Sequence, residues 1–196
     1  DPIKFNGISK DQSELHEGGA SAMLLFQKAN LTNSRLDNVS FSDAVWAVRI
    51  GNEREGDNDG NNSGTLNITN LIFENCGLLT DGYESGASVT IKDSSFTDST
   101  VKGSYPRSET IFIENSTFKK STIFSDSYNK GIYLTSCQVT ETKCMIGCCG
   151  ARINVDDSIV TESAIVDTNN HYNFEANSTF FENTVIRLPQ ATSLSI

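Results

Sequence analysis

The stretch GASVTIKDSSFTDSTVKGSYPRSETIFIENSTFKKSTIF, Gly86 to Phe124, contains one phrase twice. Val89, Ile91, Ser95, Phe96 and Val101 return as Ile111, Ile113, Thr117, Phe118 and Ile123, each 22 residues further on. Self-similarity at a fixed period of this length marks stacked structural repeats. Extended in both directions, the large apolar residue recurs as Phe41, Phe73, Phe96, Phe118, Val139, Val160 and Phe180, at spacings of 32, 23, 22, 21, 21 and 20. Five residues after it runs a second apolar column: Trp46, Leu78, Val101, Ile123, Cys144, Ile165 and Val185. Five residues before it runs a third, Leu36, Ile68, Ile91, Ile113, Leu134 and Val155, slipping by one to Phe174 in the last copy. Two residues earlier stand Leu66, Val89, Ile111, Ile132, Ile153 and Tyr172. The resulting x-V-x-I alternation is a strand with one face turned inward.

One unit of this length can bury its apolar side chains only against the units above and below it. The segments are rich in Ile, Val, Thr, Phe and Ser and hold no apolar stripe of helical period. The expected fold is therefore all-β: a right-handed parallel β-helix (solenoid) of about seven to eight coils of 20–23 residues. Strands about 4.8 Å apart would make seven coils roughly 34 Å tall. A leucine-rich repeat is disfavoured, because its Leu-x-Leu phrase before Asn is missing. A pentapeptide beat is kept only by Phe26, Leu31, Leu36, Phe41 and Trp46, so only the first coil is pentapeptide-like. A polar column precedes the Phe column by three residues: Asn38, Asn70, Asp93, Asn115, Ser136, Asp157 and Asn177. Asn and Asp tolerate left-handed geometry at a corner, and their side chains can bond from coil to coil. This column reads as a corner ladder and not as a binding site.

The organisation follows. Residues 1–22 form an N-terminal coil or cap, 23–185 the coils, and 186–196 a C-terminal tail or the start of a further coil. The chain begins at Asp1 without Met, which reads as a processed chain or part of a longer polypeptide. The largest insertion, GNEREGDNDGNNSG from Gly51 to Gly64, explains the 32-residue step. Insertions in solenoids collect on one face, often the binding face, which makes Asn58, Asn61 and Asn62 candidate binding groups. Within the same loop Glu55, Asp57 and Asp59 alternate ahead of Gly60, as at the start of an acidic Ca²⁺ loop. Leu66 stands where such a loop carries its bidentate Glu, so a site here would be weak, at about 10⁻⁴–10⁻³ M. A flexible polar insertion is the preferred reading, and calcium is the one cofactor the residues suggest.

Formal net charge is −10, from 25 acidic and 15 basic residues. That argues against nucleic acid as a partner, since phosphates demand Lys and Arg. It also argues against a polybasic membrane contact, and no apolar run is long enough to insert this segment. Five cysteines, Cys76, Cys137, Cys144, Cys148 and Cys149, leave at least one thiol unpaired within the chain. Cys144 falls in an apolar column, and the CMIGCC cluster matches no common zinc spacing. Of six glycosylation sequons, at Asn30, Asn38, Asn61, Asn67, Asn115 and Asn177, the one in the long loop, Asn61, is the natural acceptor.

Gly-Gly-Ala occurs intact at Gly18 to Ala20 and in degraded form at Ser85-Gly86-Ala87 and Cys149-Gly150-Ala151. Phe-x-x-Asn occurs intact from Phe180 to Asn183. With Ile113-Glu-Asn-Ser-Thr-Phe118, these phrases resemble the repeats of the chlamydial polymorphic membrane proteins. The resemblance implies the passenger domain of an autotransporter: an outer-membrane-tethered, cell-surface or secreted β-helix that binds a host-cell surface protein or glycan and serves virulence. Two functions are thus expected of an extracellular domain. The first is non-catalytic: adhesion, host-cell binding or rigid display. The alternative is a carbohydrate-active enzyme, a polysaccharide lyase or hydrolase, for which Asp156, Asp157 and Arg152 are the nearest approach to a catalytic group.

Overall fold

In a computed structural model the chain is a parallel β-solenoid of about six turns, with no helix among the described residues. The structure describes residues 3–6, 22–26, 29–51, 63–81, 86–104, 110–126, 130–147, 150–168 and 174–188. Three sheets form its walls, of eight, eight and seven strands, here called sheets A, B and C. Each coil contributes one strand to each in the order C, A, B. In the third coil these are Gly86–Lys92, Ser95–Thr97 and Thr100–Gly103. The coils span residues 34–51, 63–81, 86–103, 110–125, 131–146, 152–167 and 174–187, numbered 1 to 7. Ahead of coil 1, Ile3–Asn6 pairs with sheet A and Ala22–Phe26 heads sheet B.

The expected seven to eight coils exceed the turns observed. Seven strand triplets bound only six complete returns of the chain, so a count of column members overstates the turns by one.

The core is the sum of the inward columns. Phe41, Phe73, Phe96 and Phe118 are in register and at most 1% exposed. Their rings stack at centroid distances of 5.4, 4.7 and 4.6 Å with interplanar angles of 30°, 8° and 4°. Identical residues meet because the period brings each back over its predecessor, and stacked aromatics add about 0.5–1.5 kcal/mol per pair beyond area burial.

At four places the register differs from the sequence reading. Val48, not Trp46, is the partner of Leu78. Phe181, not Phe180, continues from Val160, and Ile186, not Val185, continues from Ile165. In sheet C, Phe174 follows Ile153, in the column read for Tyr172, and Ala176 follows Val155, in the column read for Phe174. A one-residue slip turns a side chain to the other face. Phe180 is accordingly 59% exposed, whereas Phe181 packs against the core.

The corner ladder is present. Asn38, Asn70, Asp93, Asn115, Ser136 and Asp157 all have φ between 49° and 57°, and Ser178, not Asn177, completes the series. A second corner, between sheets A and B, repeats the geometry at Asp43, Asn75, Asp98, Lys120, Glu141, Glu162 and Asn183. Corner N–H groups donate to the next coil, as Asp93 N does to the Glu114 carbonyl. The residue after each corner is usually a buried Ser or Thr. Its hydroxyl donates to the carbonyl two residues back and accepts an N–H from the preceding coil. Ser94 Oγ donates to Lys92 O at 2.8 Å and accepts from Leu71 N at 3.1 Å, while Ser94 N donates to Ser116 Oγ. Ser99, Ser121, Thr142 and Ser163 build the same chain along the second corner. Backbone groups left over by two tight bends per coil are thereby paired without water.

Phe96→Ala should cost about 3–5 kcal/mol, as for a buried aromatic truncation. Lys119→Ala, on the exposed side of sheet A, should stay within roughly 0.5 kcal/mol. Urea denaturation of both variants checks the register, and equal midpoints would contradict it.

Candidate functional site

Strand alternation places every second residue of sheet C outside the solenoid. The central outward column, in coil order, is Arg35, Asn67, Thr90, Phe112, Tyr133, Asn154 and Glu175. Beside it runs a second: Asp37, Thr69, Lys92, Glu114, Thr135, Asp156 and Asn177. Most polar groups here are paired within the face. Lys92 and Glu114 form an ion pair, as do Arg35 and Asp37. Asn154 Nδ2 donates to Glu175 Oε2 at 2.9 Å, and Asn177 Nδ2 donates to Asp156 Oδ1 at 2.8 Å.

Two aromatic rings interrupt this polar face. Phe112 and Tyr133 stack at 5.2 Å and 23°, and Phe112 is 44% exposed. A cross-strand aromatic pair steadies a sheet by about 0.2–1 kcal/mol, which explains the stacking. It does not explain the groove alongside. A shallow depression of about 170 Å³ runs across coils 3, 4 and 5. One wall is Thr90, Phe112 and Tyr133, the other Glu114 and Thr135, with Ile113 between them. Its volume is below the roughly 300–1,000 Å³ of pockets that enclose a drug-sized ligand, so it can seat a ring but not engulf a molecule.

One coil further on, the face carries two polar atoms without partners. Arg152 Nε and Asn154 Oδ1 are buried and accept or donate no hydrogen bond among the described residues. Arg152 is the register partner of Gly131 and Asn154 of Tyr133. A Cβ on Gly131 would lie 2.3 Å from Arg152 Cγ, so the missing side chain is what lets the Arg stem lie down against the sheet.

The loop residues singled out from the sequence, Asn58, Asn61 and Asn62 for binding and Glu55, Asp57 and Asp59 for calcium, lie outside the described residues. The base of that loop is described. Arg49 donates from Nε and Nη2 to the Asp81 carboxylate, at 3.1 and 2.7 Å, tying coil 1 to coil 2. Gly51, where the insertion begins, must be Gly, since a Cβ would stand 2.1 Å from Asp81 Oδ1. Among the described residues no three His, Cys, Asp or Glu side chains gather as a metal site. Of the Asp pair, Asp157 is a corner residue with φ 49°, and Asp156 accepts the Asn177 bond.

The cysteines divide by column. Cys76 and Cys137 occupy hydroxyl-ladder positions, with Cys137 Sγ 3.4 Å from the Thr135 carbonyl. Their backbone N–H groups donate to Ser99 Oγ and Ser158 Oγ. Cys144 is apolar core, in register with Ile123 and Ile165. All three are free and buried, while Cys148 and Cys149 lie outside the described residues. No protein-family model matches the chain, and no curated protein matches it.

Desolvation pushes the Cys76 and Cys144 thiols up from 9.0 to about 12, and it raises Cys137 as well. The native state therefore holds thiol protons that the unfolded chain releases. The stability this confers is complete below pH 9 and drains away as pH rises from 9 towards 12. The unfolding free energy should fall by about 1.4 kcal/mol per pH unit for each such thiol. Denaturation at pH 8 and pH 10 checks it. Cys144→Ala should lessen the slope by one thiol's share, and an unchanged slope would contradict the assignment.

Proposed function

We propose that this chain is a non-catalytic binding domain, displayed at a cell surface or secreted, in which a rigid solenoid presents sheet C for adhesion to a host-cell surface. The observation that carries the reading is the exposed Phe112–Tyr133 stack beside a groove, on a face whose other polar groups are mostly paired with each other. Aromatic residues in exposed, rigid positions are the usual anchors of binding surfaces. Strand-borne side chains fixed by register hold such an anchor with little ordering cost on association. The likeness of the repeat phrases to chlamydial polymorphic membrane proteins supports the extracellular setting and the autotransporter context. The long loop between coils 1 and 2 is the second contact region in this reading, with any calcium held there.

Attachment of the purified chain to cultured mammalian cells tests it. The chain should attach saturably, and Phe112→Ala/Tyr133→Ala should reduce attachment about tenfold with an unchanged denaturation midpoint. Deletion of residues 52–62 should weaken it further. No attachment by the parent chain, or equal attachment by all three proteins, contradicts the proposal. Release of uronates from pectin or alginate by the parent chain would favour the lyase alternative instead.

A further inference from the structure

We infer that the groove on sheet C is a subsite for a neutral glycan chain lying along the solenoid axis. The inference rests on the binding role above and names its ligand. The groove offers two unlike walls. Phe112 and Tyr133 supply an apolar wall, and Glu114 and Thr135 supply a carboxylate and a hydroxyl opposite them. A sugar ring matches this pairing, because one molecule carries apolar C–H edges and hydroxyls that both donate and accept.

The length fits a chain. From Thr90 in coil 3 to Tyr133 in coil 5 the groove crosses two strand spacings, roughly 10 Å.

Other ligand classes fit less well. An extended peptide gains affinity by adding a strand to a sheet edge, but the strands of coils 3 to 6 are paired on both sides. A polyanion meets the wrong field. On sheet C, in coils 3 to 6, the outward cations Lys92 and Arg152 are matched by the carboxylates Glu114 and Asp156, and Glu175 of coil 7 adds a third, in a chain of net charge −10. Sulfated and uronate-rich glycans are disfavoured for the same reason.

Calorimetric titration of the whole chain with cellohexaose, chitohexaose, mannohexaose and a heparin hexasaccharide tests the inference. At least one neutral hexasaccharide should bind. Phe112→Ala and Tyr133→Ala should each weaken it about tenfold, and Thr135→Arg, which fills the groove while keeping both rings, should abolish it. Lys119→Ala, on another wall, should bind as the parent does. Binding of the heparin fragment alone, of no hexasaccharide at millimolar concentration, or equally by all variants overturns the inference. Cell attachment that is lost with the rings but not competed by any neutral hexasaccharide also overturns it, while leaving the adhesive role in place with a protein partner.

Discussion

Coil-on-coil burial is the constraint on which the rest of this structure depends. No coil has a core of its own. Phe96 is buried because Phe73 lies above it and Phe118 below, with rings 4.7 and 4.6 Å apart. The same holds for Val89, Ile91 and Val101, whose partners are their counterparts one period away. Stability in such an array is a sum of units and nearest-neighbour interfaces. The inward half of every strand is committed to that sum, and the outward half is released from it.

The corners make the stacking affordable in polar terms. Two left-handed residues per coil cost roughly 1–2 kcal/mol each when they are not Gly, and Lys120, Glu141 and Glu162 have no side-chain excuse for being there. What holds them is the coil-to-coil bonding around them. Their own N–H groups donate to the next coil, and the Ser or Thr that follows pairs both a carbonyl and a neighbouring N–H. Cys76 and Cys137 fit into this scheme as near-isosteres of Ser. That is why two of the five cysteines sit at corners and are buried without being part of an apolar column.

The period, the four inward columns and the first corner were legible because identical chemistry returned at a nearly constant interval. The last coil was misread because Phe180 and Phe181 are adjacent, and size alone does not say which one turns inward; only the pairing of Val160 with Phe181 decides it. The second corner was hidden because its residues range over Asp, Asn, Lys and Glu. A signal for it existed in the Ser and Thr that follow, at Ser99, Ser121, Thr142 and Ser163. Phe112 and Tyr133 were overlooked for the opposite reason. Aromatic residues in a strand invite assignment to the core, yet both alternate with Ile111, Ile113, Ile132 and Leu134, so parity places them outside.

A scaffold of this kind separates two tasks. Inward columns hold the coils together, and outward columns can vary one residue at a time without disturbing the stack, so a ledge such as Phe112–Tyr133 costs the fold little. The claim beneath all of this is that coupling runs between adjacent coils and stops there. Double-mutant cycles measure it directly. Phe96→Ala combined with Phe118→Ala, one coil apart, should show a coupling of about 0.5–3 kcal/mol. Phe96→Ala combined with Ile165→Ala, three coils apart, should be additive within about 0.5 kcal/mol. Additive neighbours, or equal coupling for the near and distant pairs, would contradict the account.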